Sequence, residues 1–170
     1  LTLGVLAAGG LSACASTPEP LGAVGGQAPR AYNRPYEVHG RWYRPEAQPG
    51  YDEVGTASWY SYESHNRTTA DGEVFDARLP TAAHKTLPIP SYLEVTNLAN
   101  GRRIRVRLND RGPFVAGRII DLSRGAAAEL GFLNQGTTRV RVRYLGPAPL
   151  LPRESVATAR MSSAPLEGDE

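Results

Sequence analysis

Residues 92–108 read YLEVTNLANGRRIRVRL, two alternating runs joined by a reversal. In the second run Ile104, Val106 and Leu108 alternate strictly with Arg103, Arg105 and Arg107. A period of two marks a strand with one face buried, here with a wet, basic outer face. Asn100-Gly101 between the runs is a hairpin dipeptide, because both residue types tolerate φ > 0.

Working outward, GTASWY (55–60) reads as an opening strand and RIIDL (118–122) as a short buried one. TTRVRVRYL (137–145) closes the set with Val140, Val142 and Tyr144 inward. Between the last two, SRGAAAELG (123–131) predicts one or two helical turns, with Ser123 as N-cap and Gly131 as the stop. Five or six short strands with one short helix predict a mostly β fold over 55–146. Closure into a small barrel follows, since closure removes sticky edges.

The flanks have a different composition. Residues 14–34 are rich in Ser, Thr, Pro, Gly and Ala and read as a flexible tether. Residues 35–54, with Tyr36, Trp42, Tyr43 and Tyr51, read as a strap packed on the domain, its His39 structural or solvent-facing. Residues 147–170 lack periodicity and read as a disordered tail. The first residues, LTLGVLAAGGLSA, are apolar and short, the length of a signal-peptide core rather than a membrane span. The expected signal peptide is 1–13, its start missing. LSAC ends it at Cys14, the sole cysteine, and resembles a bacterial lipobox, in which the thiol is acylated. Ala15 after it favours an outer-membrane lipoprotein facing the periplasm, anchored through lipid.

A net charge of +2 over 170 residues is too small to indicate nucleic acid. Of the 19 basic residues only Lys85 is lysine, and no nucleic-acid reading motif accompanies the arginines. No nucleic acid, cofactor or metal is expected. His65, Glu73, His84 and Asp110 lack the close spacing of a zinc enzyme, and no G-x-S-x-G elbow supports a serine hydrolase.

Three side chains emerge from turn-rich segments. Asp110 follows a strand in Asn109-Asp110-Arg111-Gly112-Pro113-Phe114; it satisfies a turn or, desolvated at a strand end, serves as a general acid. Glu73 follows the turn pair Asp71-Gly72, and His84 sits in Thr81-Ala82-Ala83-His84-Lys85. Spacing alone leaves each open to a structural role.

Taken in order, several motifs resemble the rare lipoprotein A family of lytic transglycosylases. They are Ala57-Ser58-Trp59-Tyr60, Thr69-Ala70 with Gly72-Glu73, Thr81-Ala82-Ala83-His84, Leu87-Pro88 and Val95-Thr96-Asn97. Asn100-Gly101, the Asn109–Phe114 run and Arg118-Ile119-Ile120-Asp121-Leu122-Ser123 continue the match over 55–145. The resemblance implies a six-stranded double-psi β-barrel that cleaves peptidoglycan glycan strands, particularly those stripped of stem peptides. It implies catalytic roles for Asp110, Glu73 and His84, with Asp110 as acid and base, Glu73 stabilising positive charge or tuning Asp110, and His84 orienting. Trp59, Tyr60, Asn109 and Arg111 are implied substrate contacts, although Trp59 or Tyr60 suits the core and Arg111 suits a turn brace. The chain departs from the family pattern at Ser61, Ser64-His65-Asn66 and Asp71, and no C-terminal glycan-binding domain is expected in the residues after the barrel. The alternative is a non-catalytic wall-binding or wall-loosening lipoprotein on the same barrel. Protein partners are not specified by the sequence.

Overall fold

The computed structural model describes residues 30–60, 63 and 67–151. The expected signal peptide, Cys14, most of the tether, His65 with Ser61, Ser64 and Asn66, and nearly all of the tail lie outside the described residues.

Within them, eight strands and one α-helix follow in order. They are β1 (Tyr36–Val38), β2 (Arg41–Tyr43), β3 (Asp52–Trp59), β4 (Thr81–His84), β5 (Ser91–Asn97), β6 (Arg103–Asp110), β7 (Arg118–Leu122), α1 (Arg124–Leu130) and β8 (Thr137–Pro147). The first two form a separate antiparallel hairpin; the other six close into a barrel in the order β3-β7-β4-β6-β5-β8.

The alternation in 103–108 does what it predicts: Ile104, Val106 and Leu108 are buried while Arg103 and Arg105 are exposed. Opposite them, Leu93 and Val95 of β5 pair in register with Val106 and Ile104. Val140 and Val142 of β8 and Ile120 and Leu122 of β7 complete the interior. The reversal between β5 and β6 differs from a two-residue hairpin. Only Gly101 has positive φ, at 74°, and the connection spans 98–102. Asn100 acts through its side chain, donating to Leu130 O at 2.9 Å and accepting from Arg102 N at 2.9 Å. A side chain needed at the end of α1 holds the turn wider than its dipeptide suggests.

The sixth barrel strand, β4, was not visible as a strand in the sequence. All four of its residues are buried, so nothing alternates. It lies parallel to β6 and antiparallel to β7. The other parallel pair is β3–β7, and each parallel ladder carries a register shift, at Thr56/Ala57 and Ala82/Ala83. Such shifts bend a strand and re-aim its side chains.

The helix begins as expected, with Ser123 Oγ accepting from Ala126 N at 3.1 Å, and ends on left-handed Gly131. Its start is tightly backed. A Cβ at Gly125 would stand 2.2 Å from the Arg78 carbonyl oxygen, so only glycine fits there.

Candidate active site

Asp110 is the last residue of β6, and the 67–75 hairpin lies beside it. Thr68 bridges Val74, Thr69 N donates to Glu73 O at 2.8 Å, and Gly72, at φ 93°, makes the reversal. This hairpin is docked onto β6 at four points. Arg107 Nε lies 3.0 Å from both Glu73 carboxylate oxygens, and its Nη2 also donates to Oε1. Asn109 Nδ2 donates to Glu73 Oε2 at 2.8 Å. Asp71 N reaches Asn109 O at 3.3 Å. Finally Ala70 N donates to Asp110 Oδ1 at 3.0 Å.

These contacts give the two carboxyls opposite characters. Burial would raise the Glu73 pKa, but the hydrogen bonds from Arg107 and Asn109 and the Arg107 charge outweigh it, and Glu73 titrates below its ordinary range. For Asp110 burial wins. Its pKa is raised despite donors from Arg111 N at 2.8 Å, Ala70 N and Tyr60 Oη, the last at 3.4 Å. Tyr60 itself stays protonated, its pKa pushed up by burial and by the Asp110 and Asp121 charges. Asp71 is lifted to about 6 by burial, against a hydrogen bond from Thr69 and with the Glu73 charge adding to the rise.

A cleft of about 190 Å³ opens over this end of the barrel, lined by Tyr60, Arg67, Thr68, Thr69, Phe75 and Asp110. Tyr60 meets Phe75 edge to face, centroids 5.3 Å apart. Among the described lining residues Asp110 is the only carboxylic acid, and Arg67 the only cation.

The other residues singled out in the sequence surround the cleft rather than line it. Trp59 packs against the core and donates Nε1–H to Leu133 O at 3.2 Å. Glu73 and Asn109 hold each other behind Asp110. Arg111 uses all five guanidinium N–H groups on protein oxygens: Tyr32 O twice, Asn33 Oδ1, His84 O and Leu87 O, at 2.6–3.2 Å. His84 is buried, and both its ring nitrogens are engaged away from the carboxyls. Nδ1 accepts from Thr86 N and Leu87 N at 3.2 and 3.0 Å, so the proton sits on Nε2, 2.9 Å from Tyr51 Oη. Burial, with the Lys85 and Arg111 charges, pushes this imidazole down to about 3. Its link to Asp110 runs through the backbone, since Ala83 pairs with Asp110 across β4–β6.

Sequence reasoning missed Arg67, Thr68 and Phe75 as cleft residues and Arg107 as the partner of Glu73. Arg107 carried a misleading signal: its place in the alternation puts it on the wet face, where the 67–75 hairpin then covers it. Among the described residues no three carboxylate, imidazole or thiol groups cluster to hold a metal.

A closed six-stranded β-barrel with a desolvated carboxyl at a strand end is the class of protein these elements define. Residues 52–142 match the family model described as lytic transglycolase, built on the double-psi β-barrel, and the chain belongs to that family. It is 50% identical over 121 residues to the endolytic peptidoglycan transglycosylase RlpA of Neisseria meningitidis serogroup A, covering 71% of this chain and 51% of that protein. To RlpA of Pseudomonas aeruginosa PAO1 it is 46% identical over 144 residues, covering 76% and 42%. RlpA of Vibrio cholerae is 50% identical over 114 residues, covering 66% and 43%. The chain thus spans about half the length, or less, of these curated relatives.

Proposed function

We propose that this barrel is an endolytic lytic transglycosylase of bacterial peptidoglycan, cleaving the MurNAc–GlcNAc bond, with Asp110 as acid and then base. The observation that carries the reading is the asymmetry of the two carboxyls. Asp110 lines the cleft with its pKa raised by burial, whereas Glu73, its pKa lowered by Arg107 and Asn109, does not line it. A protonated Asp110 donates to the glycosidic oxygen as its bond to C1 breaks, and positive charge builds on the sugar ring. The resulting carboxylate then takes the proton of the MurNAc 6-hydroxyl, whose oxygen attacks C1 and closes a 1,6-anhydro ring. No water and no second nucleophile enter. Ala70 N, Arg111 N and Tyr60 Oη stabilise the Asp110 carboxylate formed midway.

Glu73 contributes by fixing the hairpin that carries Ala70 and by keeping negative charge near the ring. His84 positions the end of β4 beside Asp110. With the Arg111 donors occupied, Arg67 is the cation suited to a MurNAc lactyl carboxylate. The resemblance to relatives named as peptidoglycan transglycosylases supports the substrate class, and a cell-envelope location follows from it. Lipidation at Cys14 would anchor the chain at the outer membrane, and the mass of its mature N-terminal peptide tests that step.

The activity is tested by digesting purified sacculi and denuded glycan with the chain and analysing the products by mass spectrometry. The wild type should yield 1,6-anhydro ends, and Asp110→Asn should yield at least about 100-fold fewer. Absence of anhydro ends from the wild type would overturn the enzyme reading in favour of a non-catalytic wall-binding protein. Equal activity of Asp110→Asn would overturn the role of Asp110.

A further inference from the structure

A second cleft, of about 390 Å³, is lined by residues of the β1–β2 hairpin, Lys85 and the 114–117 loop. We propose that it is a second saccharide subsite, taking a carboxylate-bearing sugar of the glycan strand. The proposal rests on the glycan reading above and adds a place on the molecule for a sugar remote from the broken bond.

The walls have the chemistry such a sugar needs. Tyr43 and Phe114 form an aromatic corner, centroids 5.5 Å apart and planes at 59°, and Phe114 and Val115 stay 38% and 53% exposed. Exposed ring and aliphatic faces of this kind pack against the C–H face of a pyranose. Among the described residues the charge is of one sign: Arg41 and Lys85 line the cleft and no acid does. Several domain arginines are held by carboxylates, as in Arg107–Glu73, Arg141–Asp52 and Arg143–Glu94. Arg41 makes no ion pair among the described residues; its guanidinium lies 5.6 Å over the Tyr43 ring. Lys85 is aimed by one hydrogen bond to Arg118 O, which leaves two ammonium N–H groups for a ligand. Two point cations beside an apolar wall select a sugar bearing a carboxylate over a neutral one.

The cleft is also rigidly tied to the catalytic end. Phe114 follows Asp110 by four residues, Tyr36 stacks on Tyr43 at 5.3 Å, and Arg111 lies 5.8 Å from the Tyr36 ring. A strand long enough to reach both clefts binds at two places on one framework, which raises affinity with length.

The test uses the full chain carrying Asp110→Asn, labelled with ¹⁵N, so that glycan binds without being cut. Titration with denuded glycan strands, whose lactyl carboxylates are free, should shift the amides of Val38–Arg41 and Val115–Gly117. Arg41→Gln should weaken this binding about tenfold, and chitohexaose, neutral throughout, should bind at least about tenfold more weakly. In an otherwise wild-type chain, Arg41→Gln should raise KM for long strands and leave kcat unchanged. Shifts confined to the surroundings of Tyr60 and Thr69, unchanged affinity on Arg41→Gln, or equal binding of chitohexaose would each overturn the subsite. The two readings fail separately. Shifts at this cleft without anhydro products from the wild type would sink the enzyme and keep the subsite, and anhydro products without the shifts would do the reverse.

Discussion

Arg107 and Glu73 meet side by side, with Arg107 Nε 3.0 Å from each carboxylate oxygen. Their side chains are only 13% and 12% exposed, so the pair sits largely out of water. Removing one member of such a pair leaves the other charged and poorly solvated. Glu73→Gln should therefore destabilise the barrel by about 3 kcal/mol in chemical denaturation. It should also lower kcat, because the hairpin carrying the Ala70 amide loses its anchor. Replacing both partners, Glu73→Gln with Arg107→Met, should recover part of the stability and little of the activity.

The pH profile should report Asp110. The proposed acid is protonated below its raised pKa, so the rate falls on the alkaline side as pH climbs through that value. The Tyr60 hydroxyl lowers this pKa by donating to Oδ2. Tyr60→Phe should move the alkaline limb to higher pH and reduce kcat a few-fold. A limb that stays in place would show that the hydroxyl does not act on Asp110.

His84 sets an acid limit on stability. Its folded pKa is depressed to about 3, so as pH drops below about 6.5 the unfolded chain takes up a proton that the folded chain refuses. Stability then falls by on the order of 1 kcal/mol per pH unit. His84→Asn keeps an acceptor for Thr86 and Leu87 and cannot titrate. Its unfolding free energy should change less between pH 6.5 and 4.5 than that of the wild type. Asp71 and Asp110, whose raised pKa values favour folding as pH falls, are present in both proteins and cancel in the comparison.

The segment before β1 should prove part of the working barrel. Asn33 exchanges hydrogen bonds with Ile89, Nδ2 to O at 2.7 Å and N to Oδ1 at 3.0 Å, and Oδ1 also accepts from Arg111. Asn33→Ala removes all three and should cost about 2 kcal/mol locally. Chymotrypsin should then cut after Tyr32 much faster than in the wild type, and kcat should fall as Arg111, next to Asp110, loses its seat.

Strands that are wet on one face were legible because water imposes a period. Residues 103–108 and 139–143 show it plainly, and Ser123 and Gly131 marked the helix ends by backbone chemistry alone. Thr81–His84 carries no such period, since neighbours cover it on both faces. At the site, the residue types pointed to Asp110, Glu73 and His84, but not to their relations. Nothing in local spacing says that Arg107 turns under a hairpin to meet Glu73, or that Arg111 places five N–H groups on four oxygens of Tyr32, Asn33, His84 and Leu87. Those are long-range pairings, and only the closed barrel brings them together.

The seam of the barrel has one more consequence. Strands β3 and β8 pair antiparallel with Asp52 opposite Arg143, and Arg141 reaches the Asp52 carboxylate at 2.5–2.6 Å. The polypeptide therefore enters and leaves the barrel at neighbouring rungs of one ladder. A unit whose ends lie that close can be spliced into a longer polypeptide, or have its ends joined and be reopened at the 98–102 turn, with the interior unchanged.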